Sequence, residues 1–221
     1  MSEIRDLIII GAGDFAREVA WVIERINEEC PQWNFLGYVD DSKAGRIVDG
    51  YPVLGSVEWL SKYEEDIYVT CAIGSGSVRK GIYQKIRANR KIKLATIVDP
   101  SVIVGKNSII GEGSIICAGS ILAISSQVGI NCIVNFSCTI GHDAVLEDFC
   151  TLNPSVNISG RVHICERTDI GTGTQIIQGK NIAAGTTIGA GAVVVKDIKE
   201  PGTYVGVPAK KMEKYLSCTH S

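Results

Sequence analysis

An aliphatic residue recurs at every sixth position from Val104 to Val194 without a slip: Val104, Ile110, Ile116, Leu122, and so on through Ile182, Ile188 and Val194. The residue after it is often small (Gly105, Gly111, Ala123, Gly129). So is the one four places on (Ser108, Ser114, Cys132, Cys138, Thr168, Ala192). A period of six matches neither the 3.6 of a helix nor the 2 of a strand. It matches a parallel β-helix of hexapeptides, each supplying one short strand and a corner. The aliphatic fills the prism, and the small residue sits where the interior narrows. Three sides make a coil of about 18 residues, so the run predicts roughly five coils at ~4.8 Å spacing, a column ~25 Å tall. Each coil buries its face only against its neighbours, so both ends need caps. The residues before Val98 are expected to cover the lower end. The segment after Pro201 and Gly202, ending near Leu216, is expected to close the upper end as a small helix.

The first part of the chain follows another rule. Leu7-Ile8-Ile9-Ile10 is a β-branched run typical of a strand buried on both faces. It leads into Gly11-Ala12-Gly13-Asp14-Phe15-Ala16 and then a helical stripe of Val19, Val22, Ile23 and Ile26. Phe35–Val39 and Ile67–Ile73 read as further strands, Val78–Arg90 as an amphipathic helix, and Lys93–Val98 as a last strand feeding the repeats. Strands alternating with helices predict a parallel three-layer α/β domain over 1–97, followed by the repeat domain over 98–221.

Bulk properties exclude several classes. A net charge of −2 with mixed signs argues against nucleic acid or an anionic membrane surface as partner. No apolar run reaches the ~20 residues that span a bilayer, and Met1–Asp6 lacks the pattern of a signal peptide. The expectation is a cytoplasmic protein. Of the eight cysteines, Cys132, Cys138 and Cys150 fall at the small interior position, Cys117 and Cys165 just after an inward aliphatic, and no CxxC occurs. They read as reduced apolar filler.

Two places can carry chemistry. A strand, a glycine turn and a helix N-terminus present backbone N–H groups to an anion, usually a phosphate. The pattern is GxGxxA, and Asp40 lies farther away than a ribose-binding acid of a dinucleotide fold. The turn therefore suggests a nucleotide or nucleotide-sugar in preference to NAD, with use for packing alone as the alternative. Among three histidines, His142 stands outward at a corner, beside Asp143. A carboxylate next to an imidazole holds its tautomer and raises its basicity, as a general base requires. Asn135 can orient a substrate. A metalloenzyme of this architecture wants three phased histidines. His142 and His163 lie 21 positions apart, out of phase with the coil, so no metal is expected.

The order GAGDFA, YVDD, CAIGSGSVR, VNFSCTIGHDAVLEDF and YVGVPAKKM resembles the PglD/NeuD-like family of nucleotide-aminosugar N-acetyltransferases and sialic-acid O-acetyltransferases, from Leu7 to about Met212. The resemblance implies a Rossmann-like nucleotide-sugar-binding domain followed by a left-handed parallel β-helix. It also implies a homotrimer, acetyl-CoA as donor and a nucleotide-linked amino sugar as acceptor in bacterial glycan synthesis. It places the general base on His142 and its acidic partner on Asp143. Acceptor contacts fall on Gly13, Asp14, Phe15, Asp40, Asp41, Gly74 and Asn135. Acetyl-CoA contacts fall on Thr151, Thr172, Ala190, Lys210 and Lys211. The family commonly has Gly-Gly-His where this chain has Gly13-Asp14-Phe15, and a histidine where it has Thr151. Direct transfer without an acetyl-enzyme follows. The rival readings are a sialic-acid-type O-acetyltransferase and a non-catalytic nucleotide-sensing trimer.

Overall fold

The structure is a computed structural model that describes residues 4–213. Its N-terminal part alternates β1 (Arg5–Ile10), α1 (Asp14–Glu29), β2 (Trp33–Val39), β3 (Ile47–Val48), β4 (Tyr51–Gly55), α2 (Val57–Ser61), β5 (Ile67–Cys71), α3 (Gly76–Ile86) and β6 (Ile92–Leu94). They form one sheet in the order β3-β4-β2-β1-β5-β6, parallel except for the β3–β4 hairpin. Leu7, Ile8, Ile9 and Ile10 are almost fully buried, as a central strand of such a sheet requires. The predicted stripe of α1 is the buried one, with Ala16 and Ala20 beside it.

The hairpin and α2 were not anticipated. Their signal was Asp49-Gly50, both with positive φ, the pair that suits a two-residue hairpin turn. The single strand expected over Lys93–Val98 is two elements. β6 completes the α/β sheet beside β5, whereas β7 (Ile97–Val98) pairs with Ile115–Ile116 in the β-helix.

From β7 to β23 (Val193–Val194) the chain lays down two-residue strands every six residues, stacked in parallel on three sides of a prism. The first side begins with β7, the second with β8 (Ile103–Val104) and the third with β9 (Ile109–Ile110). The second residue of each strand is the inward aliphatic, and from Ile116 to Val194 all are buried in one core. Two further rules make the corners. A Cβ on Gly105, Gly111, Gly129 or Gly171 would strike the backbone of the coil above, which explains the small residue after the aliphatic. Two places later, at every sixth residue from Asn107 to Gly191, φ is positive. Gly, Asn, Ser and Asp hold most of these places because they tolerate the left-handed region best.

The buried cysteines work within this scheme. The Cys132, Cys138 and Cys150 thiols donate to the Glu147, Asn153 and Cys165 carbonyls (3.1–3.2 Å), much as the Ser114 hydroxyl donates to Gly129. Burial pushes the Cys138 thiol up to about 11.

The α/β region does not cover the lower end of the column. It packs on the first side, where outward Ile97, Ile115 and Ile133 join one buried cluster with Val19, Ile23 and Ile26 of α1. Val104 at the lower end stays 45% exposed. Arg25 of α1 reaches the fully buried Asp99 carboxylate at 2.7 Å. Arg79 of α3, 1% exposed, donates to five carbonyls, those of Ile73, Gly74, Asn131, Phe149 and Cys150, at 2.8–3.0 Å. One guanidinium thus ties the loop after β5 to two coils. Phe149 holds its positive φ at this junction, a strained place for a bulky residue that surrounding packing must maintain.

At the upper end, β24 (Thr203–Val205) and β25 (Lys210–Lys211) form an antiparallel hairpin, and Tyr204 and Ala209 pack on the core. The expected closing helix is therefore a hairpin over the described residues. The remainder of that expectation, to Leu216, lies outside them.

Candidate active site

His142 follows β14 (Thr139–Ile140) at the corner between the second and third sides. Asp143 is the left-handed corner residue, φ +57°, so the backbone turn itself swings its carboxylate back toward the preceding ring. His142 Nδ1 lies 2.8 Å from Asp143 Oδ2. That contact favours the tautomer in which the Nδ1–H donates to the carboxylate and Nε2 carries the lone pair. Both side chains are about half exposed.

The ring lies across Gly160, one coil above. A Cβ on Gly160 would collide with Nε2, Cε1 and Cδ2 of His142. Gly160 is therefore the floor of the imidazole pocket. The hexapeptide period marked this place only as one more corner, yet Gly160 follows His142 by one coil length, and that phasing was the available clue. One coil below, Ile124 stands 58% exposed.

The second region is a cleft of about 340 Å³ at the carboxyl ends of β1, β2 and β5, lined by Gly11, Asp40, Asp41, Ser42, Ile73 and Lys85 among others. The sheet order reverses there, the usual place for a ligand in such a fold. Gly13 caps α1 without a side-chain hydrogen bond, so the first turn offers unpaired N–H groups. Asp14 is fully exposed, whereas Phe15 packs against the α/β core.

The two acids of YVDD are already engaged. Asp40 accepts the Ala12 N–H (3.0 Å) and both the N–H and hydroxyl of Ser42 (2.9 and 2.7 Å). Burial works against its charge, but these donors and the Lys43 ammonium hold its carboxyl below the usual range. Asp41 accepts the Val57 N–H at the start of α2 (2.8 Å). These carboxylates shape the cleft by fixing the glycine turn and α2.

The family described as the PglD N-terminal domain matches residues 6–86. Among solved structures, the acetyltransferase domain of PglB from Neisseria gonorrhoeae FA1090 is 32% identical with a TM-score of 0.87, over 94% of this chain and 100% of that one. The chain belongs to the PglD-like sugar acetyltransferases. The same gonococcal domain with acetyl coenzyme A matches at 31% identity and a TM-score of 0.87, over 95% and 100% of the two chains. A perosamine N-acetyltransferase variant from Caulobacter crescentus, in complex with CoA and GDP-perosamine, matches at 30% identity and a TM-score of 0.83, over 96% and 98%. Comparison with curated proteins gives no match.

The remaining expected residues of this acetyltransferase fall into three places. Asn135 lies at the corner between the first and second sides, where its side chain accepts the Phe136 N–H (2.8 Å). Thr172 and Ala190 stand exposed at higher levels of that same corner, stacked through the Gly191 N–H to the Thr172 carbonyl (2.8 Å). Lys210 and Lys211 lie on the closing hairpin, Lys211 paired with Glu200 at 3.0 Å. Thr151 departs from its expected role. It is 4% exposed, and its hydroxyl donates to the Gly74 carbonyl (2.8 Å). It is a buried contact between the β-helix and the α/β region, with no open face for a cofactor. The same bond, with that from Arg79, uses the Gly74 carbonyl for docking.

No helix among the described residues is long and apolar enough to cross a membrane.

Proposed function

We propose that the chain transfers acetyl from acetyl-CoA to the amino group of a nucleotide-linked amino sugar, with His142 as general base. The observation that carries this reading is the His142–Asp143 pair at 2.8 Å, on an imidazole that lies against Gly160 and is half exposed. Nε2 takes a proton from the acceptor amine as its nitrogen attacks the thioester carbonyl. The tetrahedral intermediate then expels the CoA thiolate, which recovers a proton from the imidazolium. A backbone N–H of a neighbouring coil would stabilise the oxyanion, a donor of a kind worth ~3–4 kcal/mol. Transfer is direct. The interior thiols of Cys132, Cys138 and Cys150 are fully buried and cannot meet a thioester. The nucleotide fits the cleft beside Asp40 and Asp41, its phosphates at the α1 N-terminus.

The same reading includes a cyclic homotrimer. One chain puts His142 on one corner and Asn135, Thr172 and Ala190 on another. A site that combines them needs the corner of a second copy, which a closed ring of head-to-tail contacts supplies. Outward Ile103, Ile121 and Ile124 are 41–62% exposed on the side and corner next to His142, an apolar face suited to such a contact. The relatives solved with acetyl coenzyme A and with CoA and GDP-perosamine support the choice of donor and acceptor class.

The test is acetyl transfer assayed with UDP-, dTDP- and GDP-linked 4-amino sugars beside their 4-hydroxy counterparts and free sialic acid. Turnover confined to an amino sugar nucleotide is expected. Turnover only on hydroxyls would select the O-acetyltransferase reading, and nucleotide binding without turnover the sensing one.

A further inference from the structure

The third side of the prism carries a polar cluster that the transfer chemistry does not use. β15 (Val145–Leu146) and β18 (His163–Ile164) are adjacent parallel strands there, with Val145 opposite His163. Glu147 follows the inward Leu146, and Cys165 follows the inward Ile164 at the same register one coil higher. Side chains alternate along a strand, so His163 and Cys165 share the outer surface, and Glu147 meets them from below. His163 Nε2 lies 2.7 Å from Glu147 Oε1. One donor atom from each of Glu147, His163 and Cys165 lies within 4.8 Å of the other two, and all three residues are half-buried. The Glu166 N–H donates to Glu147 Oε2 (3.0 Å) and fixes the carboxylate. Glu166 itself is matched by Lys80 and Arg167 at 2.7 and 3.0 Å.

The His163–Glu147 ion pair accounts for two members of this cluster, and the half-buried Cys165 thiol faces the same carboxylate. A nucleophilic cysteine needs a neighbouring positive charge, yet Cys165 sits beside Glu147 and Glu166. One carboxylate oxygen, one imidazole nitrogen and one sulfur on a common face instead form a ligand set. We propose that Glu147, His163 and Cys165 bind one divalent transition-metal ion of the zinc class. Mixed N, O and S donors select such an ion, whereas Mg²⁺ and Ca²⁺ want all-oxygen shells. Donors in a tetrahedral zinc site lie roughly 3.3–3.6 Å apart, and these three lie within 4.8 Å of one another. Three protein ligands leave the fourth position to water. The ion would fasten two successive coils together, away from the His142 corner. It is a metal site that histidine counting missed, because two of its donors are not histidines.

The experiment uses the full chain, reduced and freed of metal by chelation, titrated with Co²⁺ as a spectroscopic probe for zinc. One equivalent per chain is expected, with a thiolate-to-cobalt charge-transfer band that Zn²⁺ abolishes and Mg²⁺ does not. Cys165→Ser should lose the band. His163→Ala and Glu147→Gln should each weaken binding by at least ~100-fold, beyond what an outer-shell change causes, while melting like the wild type without metal. Absence of stoichiometric binding, a band that survives Cys165→Ser, or unchanged affinity in His163→Ala would each overturn the assignment.

Discussion

The β-helix and the α/β region use their polar side chains in opposite ways. At the β-helix corner the backbone satisfies itself through bonds between coils, such as Arg161 N–H to His142 carbonyl at 2.9 Å. Among the described residues the His142 imidazole has one hydrogen-bond partner, Asp143. In the α/β region the conspicuous acids serve irregular backbone: Asp40 holds the glycine turn and Asp41 holds α2. A periodic scaffold frees many of its outward side chains because many of its amides already have a backbone partner one coil away. A loop has no such partner, and its polar side chains must supply one. Substituting His142 should therefore remove chemistry and keep the fold, and substituting Asp41 should loosen the cleft and leave the chemical step intact.

The largest effect expected is on turnover. His142→Ala should lower kcat by ~10²–10⁴-fold, the usual range for a lost general base, with an unchanged melting temperature. Near-wild-type kcat would end the assignment. The same variant tests the trimer. Refolded in equal amounts with a chain whose other corner is blocked by Ala190→Trp, it should recover roughly a quarter of wild-type activity in mixed rings. No recovery would mean that base and cofactor corner act within one chain.

Next comes the junction. Arg79→Met removes a donor from five carbonyls, of which the three on the β-helix are buried, a loss of about 3 kcal/mol, or roughly 6–12 °C in melting temperature for a chain of this size. A shift below about 1 °C in calorimetry would show that the Arg79 bonds do not hold the two regions together.

A smaller, purely catalytic effect is expected at Gly160. Its φ is not in the left-handed region, so alanine fits the backbone, and the atoms it would strike belong to the His142 ring. The ring can move at little cost in stability. Gly160→Ala should therefore lower kcat by ~10–100-fold through misplacement of the base, with melting unchanged. If stability falls and kcat does not, Gly160 matters for coil stacking and not for the imidazole.

The smallest effect is at Asp41. Asp41→Ala should cost ~1 kcal/mol, as for a lost helix cap. It should raise the acceptor KM several-fold through the loosened cleft wall and leave the acetyl-CoA KM alone, the pattern of lost ground-state binding. An equal rise in both KM values would disconnect the cleft from the acceptor.

Much of this was legible in the order of residues. The six-residue register placed fourteen successive aliphatics, Ile116 to Val194, in one core, and it set His142 outward at a corner beside its carboxylate. The α1 stripe and the buried β1 run were equally plain, because amphipathic period and β-branching are local properties. The edge hairpin and α2 were not seen, since each is too short to show a period. Thr151 is placed at acetyl-CoA by the family resemblance alone. Register cannot say that the α/β region covers that residue.

The sequence by itself determined which side of the backbone each repeat residue occupies, because steric alternation and the prism interior leave no other choice. Tertiary structure alone decided what each outward residue meets. It laid the α/β region on the flank of the column and not on its end. It pinned Asp40 and Asp41 to backbone amides, set the His142 ring on Gly160, and gathered Glu147, His163 and Cys165. Periodicity is a property of one strand and its neighbours in the chain. Contacts between coils and between regions depend on the shapes and unpaired groups of two surfaces, which no single stretch of residues contains.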